Sequence, residues 1–369
     1  MTGDREIETG RLSRGQLLFC IMSAVAMMIT FIYSDIAIEA MSAGLALCTN
    51  TVIPSLFPFM VLSELLVSSG ASELAGKYIA RPLGYIFDLS DRAAAALLLG
   101  LVCGFPIGSK SAVSMYTAGQ ISRGELEHVL SFCNIPSSAF LISAVGVGLF
   151  DSRTFGVLLY ISHVISALCV GLLGKRYFSR KKKMNEHLPI PAAPERVLKG
   201  FVHSFTKAVS DSAGSMLMIC AFLVFFSALS GIVRLFAENA RLSDLLCALI
   251  IGAFEMTGGV SSAASLSPMI SAIATSVITA WSGLSVAFQL IGLCKDTRIS
   301  VKPYFVLKMI SALISGALMA VSLHLWGYAI PLKPGDSTAF LPTVPIVPLS
   351  HLRTSLFIVG CLLLKRKKS

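Results

Sequence analysis

The sequence predicts an all-α polytopic membrane protein, arranged as an inverted repeat with two re-entrant hairpins, two broken helices and about eight full crossings. Composition is the first reason. Of 369 residues, 55% are hydrophobic and only 14% charged, and the mean hydropathy is +0.78; soluble domains carry about 25% charged residues. Spacing is the second. The charges cluster between apolar stretches of about 20 residues, the length that crosses a bilayer core. The third is a pair of polar interruptions that occurs twice. One copy reads Gly104-Phe105-Pro106-Ile107-Gly108-Ser109-Lys110, followed by Cys133-Asn134-Ile135-Pro136-Ser137-Ser138. The other reads Gly252-Ala253-Phe254-Glu255-Met256-Thr257-Gly258-Gly259, followed by Trp281-Ser282-Gly283-Leu284-Ser285. Hydrocarbon cannot satisfy backbone groups freed by Gly and Pro, so such breaks persist only where protein or a wet cavity lines them. Paired broken segments in two halves of a membrane chain point to a transporter's binding site.

The apolar segments run approximately over 16–34, 41–70, 93–118, 125–150, 153–174, 201–236, 244–265, 268–292, 303–328 and 351–364. The first follows Arg11 and Arg14, as in a signal peptide, but lacks a small-residue cleavage site, so a retained helix is expected. If every segment crossed, the N-terminus and the basic cluster Lys175, Arg176, Arg180, Lys181, Lys182 and Lys183 would lie on opposite sides. Both of these, and the closing Lys365-Arg366-Lys367-Lys368, read as cytoplasmic flanks. The conflict vanishes if 93–118 and 244–265 enter and leave on one side as hairpins. Lys77, Arg81, Arg92, Arg123, Lys295, Arg298 and Lys302 then fall inside. Asp35, Glu39, Asp151 and the Pro-rich loop from Pro331 to Pro348 fall outside, with Arg234 and Arg241 as exceptions there.

With this topology the halves superpose in order. Asn50 and Gly70 match Asp211 and Gly231, Gly100 through Ala112 match Gly252 through Ala264, and Ala139-Phe140 match Ala287-Phe288. The first half starts outside and the second inside, so the two hairpins dip from opposite faces. Repeats of this kind serve alternating access around a midplane site. The organisation expected is a tail and first helix (1–40), a first repeat (41–174), a basic cytoplasmic linker (175–200), a second repeat (201–328), an outer loop (329–350) and a last helix with a basic tail (351–369).

Several function classes drop out. The net charge of +10 resides largely in clusters that follow apolar helices, which is orientation chemistry rather than nucleic-acid binding. Nine cysteines form no CxxC pair and six histidines show no ligand spacing, so no metal, cofactor or disulfide framework is implied. The run Gly104…Ser109-Lys110-Ser111 resembles a phosphate loop but has Ser109 where Gly should precede Lys, and no strand before it. No nucleophile–base pair suggests an enzyme.

The breaks carry the candidate substrate-binding residues. Lys110 either draws an anionic group, together with N–H groups exposed by Gly104 and Gly108, or snorkels to the cytoplasmic interface. Ser109 precedes it. Glu255 either hydrogen-bonds a substrate, pairs with Lys110, exchanges a proton or cation, or forms a structural ion pair. Thr257, Gly258, Ser282, Ser285 and Gln289 stand near the second pair of breaks, and Asn134, Ser137 and Ser138 near the first. Membrane hydroxyls also bond their own backbone, so only their convergence singles them out. Asn50 and Asp211, beside Pro54, Pro58 and Gly214, form a symmetric polar pair that would line the same cavity.

At these motifs, from about residue 16 to 365, the chain resembles the sporulation integral membrane protein YlbJ (SpoVV) family, within the nucleoside-recognition or Gate-domain group. That group is similar in plan to concentrative nucleoside transporters, with two opposed hairpins and two broken helices. The resemblance implies that Glu255 and Thr257 form the second hairpin's binding tip, Ser282 and Ser285 the second break, and Asn134 with Ser137 the first. It also implies movement of dipicolinic acid across the outer forespore membrane, from the mother cell. The expected partners are a small anionic substrate and the lipid bilayer; a homo-oligomer is compatible with the sequence. The alternatives are a nucleoside or other small-metabolite transporter, and a non-transporting sporulation scaffold.

The topology predicts that a single cysteine placed in the 175–200 linker is shielded from a membrane-impermeant thiol reagent in intact cells. Labelling there would overturn the hairpin count.

Overall fold

In hydrocarbon a backbone has no partner but itself, so apolar runs free of turn residues wind into helices. The computed structural model describes residues 14–69, 78–184, 200–297 and 299–326, and every regular element among them is helical. The expected outer loop and last helix, residues 185–199 of the linker, and Gly70, Lys77 and Arg298 lie outside the described residues.

Helix α1 (Arg14–Ile32) is followed after Tyr33 alone by α2 (Ser34–Leu47), a wide π-helical turn π1 (Cys48–Val52) and α3 (Ile53–Ser68). The stretch around Asp35 and Glu39, expected between two crossings, is thus helical. Asp35 lies in the first turn of α2, where an acid favours the helix. A short α4 (Arg81–Phe87) precedes the first hairpin, α5 (Asp91–Cys103) and α6 (Ile107–Thr117). The first broken helix is α7 (Arg123–Phe132), an extended break, and a π-wound half π2 (Ala139–Leu149). α8 (Arg153–Met184) closes the first half and carries the start of the expected linker as helix.

The second half repeats this order. α9 (Phe201–Asn239) leads to a hairpin of α10 (Asp244–Phe254) and α11 (Met256–Ala264). The broken helix α12 (Pro268–Trp281) and α13 (Gly283–Leu293) follows, and then α14 (Lys302–Trp326). Among the described residues, five segments are long and apolar enough to cross a membrane: Ser34–Leu65, Arg153–Phe178, Phe201–Asn239, Pro268–Leu293 and Lys302–Leu325.

Both hairpins begin with the same cap. Leu89-Ser90-Asp91 and Leu242-Ser243-Asp244 each place a serine at the N-cap, accepting from the backbone N–H of Ala93 and of Leu246, with an acid in the first turn. Both also close on a pair of glycines. A Cβ on Gly108 would come within 2.3 Å of the Gly100 Cα, and one on Gly259 within 2.2 Å of the Gly252 Cα. The arms therefore touch backbone to backbone, as small residues allow in membranes. The halves meet where α2 crosses α9 through Gly44 against Ser227 and Gly231 against Ala40. Deeper, α8, α12 and α14 are joined by serines: Ser166 Oγ lies 2.9 Å from Ser311 Oγ, and Ser276 Oγ 2.9 Å from Ser315 Oγ.

Since a methyl cannot fit between the arms, Gly108→Ala and Gly259→Ala should each destabilise the protein by about 1–3 kcal/mol, an overpacking cost. Gly214→Ala, with nothing within 4 Å of the added carbon, should not. Thermal unfolding of the detergent-solubilised variants reads the difference.

Candidate functional site

Each hairpin tip sits on the break of the helix that follows it. In the first half the N–H of Phe105 donates to the Ile135 carbonyl at 2.8 Å. Gly104, at φ +78°, lies so close to Ser137 that a Cβ would approach its backbone to 2.6 Å. In the second half Gly283, at φ +80°, lies against Phe254, Glu255 and Met256, and Trp281 Nε1 donates to the Ala253 carbonyl at 3.1 Å. Glycine is required at both approaches, by its backbone freedom and its missing side chain.

The two assemblies face one another across a cavity of about 90 Å³. The first half supplies Phe105, Ser137 and Phe140; the second supplies Glu255, Thr257, Ser282, Ser285 and Gln289. Leu56 of α3 and Ile219 of α9 complete the wall. Two further cavities share residues with it. One, of about 330 Å³, shares Phe105, Ile219 and Gln289 and runs to Lys110 and Asp211. The other, of about 390 Å³, shares Glu255 and Thr257 and runs to Glu39, Ser230 and Arg234. The three form a series through the protein, with Gln289 at one junction and Glu255 at the other.

Glu255 is buried, in extended backbone, and its side chain is the N-cap of α11. Its carboxylate accepts from Thr257 N at 2.9 Å, from Gly258 N at 2.7 Å and from the Thr257 hydroxyl. These donors are the orphan groups of a helix start, which a carboxylate matches in both geometry and charge. Gln289 stands differently. Its Nε2 donates to Ser285 Oγ at 3.3 Å, but its buried Oε1 has no protein partner. Ser282 adopts a left-handed conformation, φ +69°, and no side chain caps the first turn of α13 beyond it. The cavity thus presents an unused amide oxygen and an uncapped helix start.

The residues singled out from sequence divide accordingly. Ser137, Glu255, Thr257, Ser282 and Ser285 line the central cavity, and Gly258 the Arg234-side one. Ser109 and Asn134 stand behind it: the Ser109 hydroxyl donates to Asn134 Oδ1, and Asn134 Nδ2 donates to the Leu130 carbonyl at 2.7 Å. Gly104 and Gly108 serve close packing, and Ser138 starts π2. Lys110 does not meet Glu255. It pairs with Glu64 at 3.4 Å, donates to the Asp211 carbonyl at 3.3 Å, and lines the Asp211-side cavity. Asn50 and Asp211 are not brought together in the central cavity; Asp211 lines the Lys110 side and Asn50 is exposed at π1. No group of three His, Cys, Asp or Glu side chains is gathered as a metal site among the described residues. Sequence reasoning passed over Lys308, buried in α14, whose ammonium donates to the Asn134 carbonyl in the first break.

Residues 49–175, the span of the first hairpin and first broken helix, match the Gate family, described as nucleoside recognition. The chain is 28% identical over 310 residues to the sporulation integral membrane protein YlbJ of Bacillus subtilis (strain 168), covering 76% of each chain. No solved structure matches. The resemblance read from the hairpin and break motifs is borne out by both.

Replacing Glu255 by Ala removes the cap from α11 and should cost about 1–2 kcal/mol of stability, the usual range for a lost N-cap. Glu255→Asp, which keeps a capping oxygen, should recover most of it, as thermal unfolding would show.

Proposed function

We propose that this protein is a secondary transporter that moves a small anionic metabolite by alternating access. The reading rests on one observation: both hairpin tips and both helix breaks line a single cavity with a larger cavity on each side of it. A scaffold has no use for helix breaks at membrane depth, whose freed backbone groups are costly. A carrier needs them, because half-helix ends offer a cargo dipoles and hydrogen bonds without fixed charge. The Gate span covers one half, and the second half repeats its caps, glycine pair and break in the same order. We read this as an inverted repeat of about eight crossings, with the motion between the halves at the α2–α9 contact and across the central cavity.

Cargo chemistry follows from what the cavity leaves unused. Glu255 is occupied by the α11 amides, so its charge is offset within the hairpin. The uncapped start of α13 suits a carboxylate, as helix N-termini do for anions. Ser282, Ser285 and Gln289 add polar contacts, and the faces of Phe105 and Phe140 suit a flat ring. A planar ring bearing carboxylates, dipicolinic acid, meets the helix start, the hydroxyls and the ring faces, while the free Gln289 Oε1, an acceptor, would take a hydrogen bond from water or from a protonated carboxyl. With the similarity to a sporulation membrane protein, this supports its passage across the outer forespore membrane. In this scheme Lys110 and Arg234 stand in the flanking cavities, where they attract an anion without holding it at the centre.

The test is uptake of labelled dipicolinate, beside labelled uridine, into proteoliposomes carrying the purified protein. Dipicolinate should enter and be competed by its unlabelled form; uridine alone entering would transfer the reading to nucleosides, and neither entering would favour the scaffold. Ser285→Ala combined with Gln289→Ala should cut uptake by about tenfold or more at unchanged protein level, as losing two polar contacts of about 1 kcal/mol each implies.

A further inference from the structure

Among the described residues one buried lysine, Lys308, lines none of the three cavities. Lys308 stands in the second turn of α14 and is 4% exposed. Its ammonium donates to a neutral acceptor, the Asn134 carbonyl, and among the described residues no carboxylate lies within ion-pair distance of it. An ionisable side chain at membrane depth is expensive and is retained where it has work to do. The groups facing it are few. Cys133 lies beside it at the first break and His163 faces it from α8. Cys294 lies against Cys133, and Tyr304 is buried one turn earlier on α14 itself. Glu127, near the approach to α14, is engaged by Arg123 Nε at 3.0 Å and by Ser300 N at 3.2 Å. The face of α14 that carries Lys308 continues through Ser311 and Ser315, which meet Ser166, Ser276 and His163. His163 Nε2 is buried without a partner. Lys308 therefore stands at the head of a polar stripe in an otherwise apolar helix.

Its position gives that charge leverage. Asn134 is one of the residues through which the first hairpin holds the first break, by way of Ser109, beside the Phe105–Ile135 bond. A charge-assisted bond to its carbonyl is about twice as strong as a neutral one. Protonation of Lys308 thus tightens the break behind the central cavity, and loss of the proton loosens it.

We propose that Lys308 binds the proton that drives transport, taking it from water on one side and releasing it to water on the other as the two halves move. This rests on the transport reading above. The amine gains one proton and becomes the ammonium, then returns it; no other bond changes.

The experiment compares wild-type protein, Lys308→Gln and Lys308→Arg in proteoliposomes loaded with a pH-sensitive dye. Two quantities are read: exchange of labelled for unlabelled dipicolinate without a gradient, and accumulation driven by an imposed pH gradient. Wild type should do both, with a change of internal pH that accompanies cargo. Lys308→Arg, a fixed charge, should keep exchange; Lys308→Gln should still exchange but need several-fold more cargo for half-saturation; and both should lose gradient-driven accumulation together with the pH change. Accumulation in either variant that responds to the gradient as wild type does would overturn the proposal. So would loss of exchange in variants whose unfolding temperature matches wild type, which marks a positioning role only. If neither variant folds, the wild-type dye signal decides: exchange and accumulation without any proton movement would overturn it. Absence of exchange in wild type would instead sink the transport reading, and this one with it.

Discussion

The structure depends on one constraint: a helix that breaks inside a bilayer frees backbone groups that nothing outside the protein can satisfy. Each break here is answered by the hairpin that precedes it. Phe105 donates to Ile135 in the first half, and Gly283 lets the second break lie directly on the Glu255 tip. Because tip and break complete one another, neither can move far without the other. Under the transport proposal, each half would then move as a unit, and the surfaces free to shift would be those between halves. The α2–α9 crossing has the composition for it: glycine, alanine and serine permit close approach without interlocked side chains.

The same constraint assigns Glu255 two roles. A carboxylate that caps α11 is aimed at the amides of a half-helix, and those amides border both the central cavity and its neighbour. Under the transport proposal, the carboxylate that caps the helix here is what a cargo carboxylate would compete with. The start of α13, on the same cavity, has no side-chain cap. One cavity thus contains a capped and an uncapped helix start, which is an asymmetry a carrier can use.

Much of this was legible in the sequence, for a physical reason. Hairpins and breaks interrupt apolar runs with Gly, Pro and hydroxyls, and hydrocarbon tolerates that only at such places. The Leu-Ser-Asp cap that opens both hairpins, at Leu89 and Leu242, stands in the sequence but was passed over, because a three-residue match gains meaning only once both are seen to start a hairpin. Less legible was anything decided by neighbours distant in the chain. Lys110 looked like a lone cation, but Glu64, forty-six positions earlier, folds against it. Asn50 seemed to mirror Asp211, yet π1 turns it outward. The start of α2 and the start of the linker escaped because helix propensity in Ala-, Glu- and Lys-bearing stretches extends past the apolar segment. Lys308 escaped for the opposite reason: a single charge flanked by Leu307 and Met309 hardly alters the hydropathy of a long span.

That single charge completes the electrostatic account. Lys110 is balanced by Glu64, and Glu255 by three hydrogen-bond donors. Lys308 has a carbonyl dipole instead of an opposite charge. An anion arriving in the central cavity, with Pro136 and Ser137 of the first break in its wall, would supply part of what is missing. It would make the protonated lysine easier to keep, and the protonated lysine would in turn make the anion easier to hold. Linkage requires the two effects to be equal. If the protein carries an anion as proposed, a cargo and a proton that each favour the other's binding would travel together, and one uncompensated ammonium behind one helix break would be enough to couple them.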